Sequence, residues 1–185
     1  MIRITGGSWR GRLLMARVPD GVRPTSSRAR EGLFNMLGND LTDTSWLDLF
    51  GGTGLIVFEA GSRGAAPLYA VDKNAEAVKV MRRHATELAA PLTVFLGNAA
   101  AVSLPMVDTV FVDPPYTDDV TTWLGRACGA ARRLVIAEAR AGAVWPDLPG
   151  WNLHKTRTYG DSAFAIWRKD DAVLWEDAVP PARED

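Results

Sequence analysis

Residues 46–54 read Trp46-Leu47-Asp48-Leu49-Phe50-Gly51-Gly52-Thr53-Gly54. The first five make a short, mostly apolar run, and the glycines that follow bend the chain ahead of a segment that continues helically to about Ser62. Strand, glycine turn and helix in that order open a sheet of the α/β class. The alternation continues with a strand over 68–71, a helix from Asn74 to about Ala89, strands over 92–96 and 109–112, a helix from Asp118 to about Ala130 and a strand over 134–137. Short apolar strands separated by helices predict a mostly parallel sheet with helices on both faces. The rhythm breaks at the end, where strands over 152–158 and 163–167 flank Tyr159-Gly160-Asp161-Ser162 as an antiparallel hairpin at the sheet edge. Upstream, Pro24-Thr25-Ser26-Ser27 starts a helix; Leu33, Phe34, Met36 and Leu37 give it an apolar face, and Gly38 stops it.

The chain has 185 residues, 47% hydrophobic and 23% charged, enough for one domain with a full core. This balance excludes a disordered, collagen-like or disulfide-stapled protein. No run approaches the ~18 apolar residues of a membrane span, and the arginines near the N-terminus are followed by no apolar signal core, so a cytoplasmic protein is expected. A single Cys128 and two histidines, His84 and His154, offer no metal site. The net charge of −1 hides an asymmetry: seven arginines (Arg3, Arg10, Arg12, Arg17, Arg23, Arg28, Arg30) against Asp20 and Glu31 give residues 1–38 a charge of +5, leaving −6 for the rest. Such an arm either attracts a polyanion, nucleic acid first, or merely solvates a surface. The chain thus divides into a basic arm and helix over 1–38, an α/β domain over 39–169 and an acidic tail over 170–185 that carries no chemistry.

The glycine turn lies where open α/β sheets bind ligands. Gly52-Thr53-Gly54 lacks the third glycine of a dinucleotide fingerprint, since position 57 is Val57, and no Lys-Ser/Thr follows to make a phosphate loop. Asp72 ends the second strand 18 residues after Gly54, where a carboxylate accepts hydrogen bonds from ribose hydroxyls. Asn98-Ala99, after the third strand, either presents an amide pair to an adenine edge or is a plain turn. Asp113-Pro114-Pro115-Tyr116 ends the fourth strand and opens into the same crevice. Its two prolines stiffen the loop, which then offers the Asp113 carboxylate, the Pro114 carbonyl and the Tyr116 ring. Two acceptors beside an aromatic plate suit a flat base with an exocyclic amine.

Three blocks carry a wider likeness. They are Arg3-Ile4-Thr5-Gly6-Gly7-Ser8-Trp9-Arg10-Gly11-Arg12 with Arg23-Pro24-Thr25 and residues 28–35; residues 47–54 with Glu59-Ala60 and Ser62-Arg63-Gly64-Ala65; and residues 112–116. Together they resemble the class I methyltransferases that use S-adenosylmethionine, and more narrowly the bacterial family that methylates the N2 amine of a guanine in small-subunit (16S) ribosomal RNA. The resemblance implies a Rossmann-like, seven-stranded sheet and a cofactor held by Asp48, Phe50, Gly51, Gly52, Thr53, Gly54, Asp72, Lys73, Asn98 and Ala99. It implies catalysis by Asp113, Pro114 and Tyr116. Ribosomal RNA or the small subunit would be gripped by Arg3, Arg10, Arg12, Arg23 and Arg28, with Trp9 either stacking on RNA or buried. A monomer without metal is expected. Leu55, Val57 and Gly61 depart from the family's usual residues, and Val57 with Phe58 bears on pocket shape. A DNA-adenine or protein-glutamine amide methyltransferase, or an inactive RNA-binding module of the same fold, are the alternatives.

Overall fold

A computed structural model describes residues 2–14, 25–115 and 118–170. Strands β1 (Ile2–Arg3) and β2 (Leu13–Leu14) form a small antiparallel ladder, followed by helix α1 (Ser27–Met36). The Ser26 hydroxyl caps α1 by accepting from Ala29 N at 3.1 Å. The alternating part then runs β3 (Trp46–Asp48), α2 (Leu55–Ser62), β4 (Leu68–Asp72), α3 (Ala75–Leu88), β5 (Leu92–Leu96), β6 (Val107–Val112), α4 (Thr121–Ala130) and β7 (Ala131–Arg140). Strands β8 (Trp151–Tyr159) and β9 (Ser162–Lys169) close the chain.

Seven strands lie in the order β5-β4-β3-β6-β7-β9-β8, with β3 to β7 parallel and the two last antiparallel. This is the Rossmann-like α/β fold expected. Of the two hairpin strands, β8 lies at the sheet edge, opposite the β5 edge, and β9 is inserted between β8 and β7. Strand alternation sorts the side chains into two cores. Trp46, Phe111, Ile136 and Phe164 pack under α1, α2 and α3, while Leu47, Val110, Val135 and Trp167 pack under α4. Residues of the basic segment, Ile4, Leu14, Ala29, Leu33 and Phe34, belong to the first core.

Three boundaries shift for identifiable reasons. The strand expected over 46–50 stops at Asp48, whose Oδ1 accepts from Phe50 N at 3.0 Å and turns the chain. The strand expected over 134–137 runs on to Arg140 because β9 supplies Phe164, Ala163 and Ser162 as ladder partners. The helix expected from Asp118 starts at Thr121: Asp118 N donates to Pro115 O in a turn, and Asp119 Oδ1 accepts from Thr121 N.

Candidate active site

Chain order reverses around β3, with β4 on one side and β6 on the other, so the crevice opens at the carboxyl ends of these strands. Four acids line that rim. Asp48 ends β3, Asp72 ends β4, Asp113 follows β6 and Glu138 lies in β7. Each stands two residues after a member of the α1-α2-α3 core, namely Trp46, Ala70, Phe111 and Ile136, so period-two alternation points all four to that face. Asp48 is level with Ala70 and Phe111, and Val112 with Ala137, which sets Asp72 and Asp113 one step above Asp48 and Glu138 beside Asp113.

The turn between β3 and α2 has two kinds of glycine. A Cβ at Gly51 would lie 2.8 Å from Met81 Sδ, and one at Gly54 2.6 Å from Phe58 Cε2, so these two are required by the packing of α2 and α3 against the sheet. Gly52, at φ +51°, faces open space: its Cβ would meet only Phe50 O at 3.8 Å. The Gly52 N–H donates to Asp72 Oδ2 at 2.7 Å, and Asp72 Oδ1 accepts from Asn74 N at 2.7 Å. Asp72 is therefore aimed by both the turn and the start of α3, and each oxygen keeps a lone pair for a ligand hydroxyl. Thr53 is half-buried in the turn, and the half-buried Phe50 meets Trp123 edge-on at 4.9 Å. Val57 and Phe58 are both fully buried in the helix–sheet packing. Lys73 and Asn98 are exposed and Ala99 is buried; Asn98 Oδ1 is engaged by Ala100 N at 2.9 Å, as in a turn. Arg126 holds that turn by donating to Ala99 O and Val102 O.

Electrostatics set the rim apart. Burial pushes Asp48 from an ordinary 3.8 up to about 7; the Phe50 N–H opposes the shift, and the charges of Asp72 and Glu138 add to it. Desolvation also holds Asp113 well above the carboxylate range, reinforced by Glu138 and Asp48. Glu138 is raised by burial against the pull of Ser162, Thr25 and Arg30. These mutual influences bring Asp48, Asp72, Asp113 and Glu138 into one field. Neither Asp48 nor Asp113 has an ion-pair partner among the described residues. A cavity of about 230 Å³ opens beside Pro114, lined also by Asp118, Asp119, Glu138, Arg140 and Val144 among others. Such a rim is suited to a cationic ligand on one side and a hydrogen-bond donor on the other.

The family described as conserved hypothetical protein 95 matches residues 2–168. Ribosomal RNA small subunit methyltransferase D of Escherichia coli is 32% identical over 180 residues, covering 91% of this chain and 90% of its own. The chain belongs to the methyltransferase D family. The solved yhhF chain of Escherichia coli is likewise 32% identical, with a TM-score of 0.77 over 92% of this chain and 99% of that one. An RNA methyltransferase of Salinibacter ruber, solved in complex with S-adenosyl-L-homocysteine, shares the fold at 15% identity, with a TM-score of 0.64 over 82% of this chain and 96% of its own.

In this member of the methyltransferase D family, the rim gathers Asp48, the glycine turn, Asp72, Asp113 and Pro114, while Trp9, Arg10 and Arg12 lie elsewhere. Helices α2 and α3 run back from the rim, so Ser62 and Glu87 lie at the opposite end of the sheet. Trp9 N donates to Ser62 Oγ at 2.8 Å, and Arg12 Nη2 to Glu87 O at 3.3 Å, which places Trp9, Arg10 and Arg12 at that far end. Trp9 is half-buried over Gly61, where a Cβ would lie 2.9 Å from Trp9 Cζ3 and 2.6 Å from Leu68 Cδ1. The indole and Leu68 therefore leave room for glycine only. Arg3 and Arg28 are exposed, Arg3 Nη1 donating to Gly11 O. Arg23 and Tyr116 lie outside the described residues. Glu138 escaped the sequence reading; its signal is an acid inside the apolar run 134–139. Among the described residues no helix is long and apolar enough to cross a membrane, and no group of three or more potential metal ligands occurs.

Proposed function

We propose that the protein transfers a methyl group from S-adenosylmethionine to the exocyclic N2 amine of a guanine in small-subunit ribosomal RNA, by in-line displacement. The observation that carries this reading is the placement of Asp113-Pro114, at the end of β6, in the same acidic rim as Asp48 and Asp72 beside the open glycine. A cationic ligand fits the rim: Asp48 and Asp113 are buried with no cation beside them among the described residues, and a ligand with a positive sulfur and an ammonium group would favour their charged form. Asp72 is directed to receive ribose hydroxyls and Gly52 presents bare backbone. The bound cofactor would supply an electrophilic methyl group.

The remaining work falls to this chain. A guanine amine is a poor nucleophile because its lone pair is delocalised into the ring. Asp113 and the Pro114 carbonyl, by accepting the two amine hydrogens, would favour a pyramidal nitrogen and place negative potential where positive charge develops. Asp113 is then the acceptor for the proton released. Pro114 and Pro115 hold these acceptors rigidly, so that the lone pair is aimed before reaction begins. The cavity beside Pro114 receives the base once it has left its RNA helix, with Tyr116 as its stacking surface. In this reading residues 1–38 contact RNA, 39–169 form the catalytic domain, 170–185 play no part, and the protein acts as a monomer.

The test is tritium transfer from S-adenosylmethionine to ribosomal RNA, 30S particles, DNA and protein in parallel, followed by mass analysis of the labelled nucleoside. Label in ribosomal RNA as N2-methylguanosine is the expected result. Label in DNA or protein, or in another nucleoside, overturns it.

A further inference from the structure

Among the described residues, Glu138 is the rim acid held from both the N-terminal segment and the C-terminal hairpin. Its side chain is almost fully buried, 3% exposed. Oε2 accepts from Thr25 Oγ1 at 2.9 Å and Oε1 accepts from Ser162 Oγ at 2.7 Å. Thr25 is the residue at which the basic segment enters α1, and Ser162 ends the turn of the C-terminal hairpin. Tyr159, on the other side of that turn, is packed against α1 so closely that a Cβ on Gly32 would lie 2.2 Å from Tyr159 Cζ. The hairpin turn and the start of α1 thus form one wall, and Glu138 fastens both halves of it to the strand beside Asp113.

We propose that Glu138 is a positioning residue that links the seating of the basic segment to the proton acceptor: the Thr25 hydroxyl holds the Glu138 carboxyl beside Asp113, so that what seats Thr25 acts on Asp113 through Glu138. Only the role given to Asp113 rests on the methyl-transfer reading; the link itself does not. The direction follows from the groups around each acid. Glu138 faces Asp113 from β7 and is itself faced by Arg30 of α1 and by the two hydroxyls, all of which favour its charged form. Asp113 is faced by Glu138 and by Asp48 of β3, which in turn feels Asp72 of β4; both Glu138 and Asp48 favour the protonated form of Asp113. Asp118, Asp119 and Arg140 border the cavity that Glu138 shares with Pro114. Loss of the Thr25 donor favours the proton on Glu138, and Asp113 then loses a neighbouring negative charge and becomes more acidic.

The experiment is a carbon-13 NMR titration of the Asp113 carboxyl in the ligand-free protein, with a thermal melt on each variant. Glu138→Gln, which keeps the shape and removes the charge, is expected to lower the Asp113 midpoint by at least about half a pH unit. Thr25→Val should shift it less, in the same direction, and Thr25→Ser should restore it. An unmoved Asp113 midpoint in a Glu138→Gln protein that melts like wild type overturns the proposal, and so does an upward shift in Thr25→Val. Should Glu138→Gln fail to fold, the Thr25 pair decides alone. On ribosomal RNA, Glu138→Gln and Thr25→Val are expected to lower kcat about tenfold with the cofactor KM unchanged, and Thr25→Ser to recover it. Because the titration uses neither RNA nor cofactor, a shifted midpoint in a protein without methyl transfer sinks the functional reading and leaves the link standing.

Discussion

Two buried acids on the same face of this sheet live in opposite surroundings. Glu59, in α2, is fully buried and saturated: Arg30 Nε stands 3.2 Å from Oε1 and Arg63 Nη1 2.5 Å from Oε2, while Thr5 donates its N–H at 2.9 Å and its hydroxyl at 3.0 Å. Asp48, in β3, is 2% exposed and, among the described residues, receives one hydrogen bond, from Phe50 N, and has no ion-pair partner. Arg30 extends the first network further, donating to Thr25 O at 2.7 Å and Arg3 O at 3.0 Å. The saturated acid binds the N-terminal segment, α1 and α2 into one body. The unsaturated acid stores an electrostatic deficit at the mouth of a cleft, and that deficit has a use only when something charged arrives. Burial alone does not separate a structural acid from a working one; the number of donors does.

Glu59→Ala should show the largest effect. It strands two buried guanidiniums and frees Thr5, which costs about 3–5 kcal/mol of folding stability, measured by urea unfolding. A variant as stable as wild type would remove the distinction between the two acids. Asp113→Ala tests the other side. Transfer to ribosomal RNA should fall about 10³-fold, or roughly 4 kcal/mol in the barrier, with no loss of thermal stability because a buried carboxyl without a cation partner leaves the rim. Full activity in this variant would show that the loop is not the catalytic element.

Asp48 gives a smaller effect with a definite sign. Its carboxyl in the folded protein is pushed to about 7 from 3.8, so the folded state holds the proton more tightly than the unfolded one. The resulting stabilisation is complete below about pH 4 and is lost as pH rises through about 7. A shift of this size corresponds to about 4 kcal/mol at most, and coupling to Asp72 and Glu138 brings the expected figure to roughly 2–4 kcal/mol. Asp48→Asn should flatten the fall in unfolding free energy between pH 4 and 7.5 by that amount. A steeper fall in the variant would mean that Asp48 is charged and satisfied, as Glu59 is.

The same contrast explains what the sequence could reveal. The strand over 46–48, the turn and the alternation after it are local patterns of period two and 3.6, carried by neighbouring residues. Asp113-Pro114-Pro115 was legible because two prolines restrict the backbone wherever they occur. Glu138 was not, since its partners lie 113 residues upstream at Thr25 and 24 residues downstream at Ser162, and a ladder with β9 brings it into the strand at all. Arg30 shows the opposite error: it counted toward a basic arm by charge, yet it is 2% exposed and neutralised by Glu59. Composition records how much charge a segment has and nothing about where it points.

That last point bears on the arginines that remain exposed. Arg10 and Arg12 sit at the end of the sheet opposite the acidic rim, beside the ends of α2 and α3, so they cannot touch the reacting base. A role in RNA binding then requires a substrate that extends along the α1-α2-α3 side and meets phosphates well away from the modified nucleotide. Such contacts add affinity through counterion release and leave cofactor binding alone. Arg10→Ala with Arg12→Ala should therefore raise KM for RNA a few-fold and reduce the slope of log affinity against log salt by about 1.4–1.8, the share of two phosphate contacts. The cofactor KM should not move. Because the bond Arg12 makes among the described residues is an exposed one to Glu87 O, at 3.3 Å, the described fold does not depend on the pair, and a changed slope reports RNA alone. An unchanged slope would assign both arginines to plain surface solvation and confine the RNA footprint to the rim.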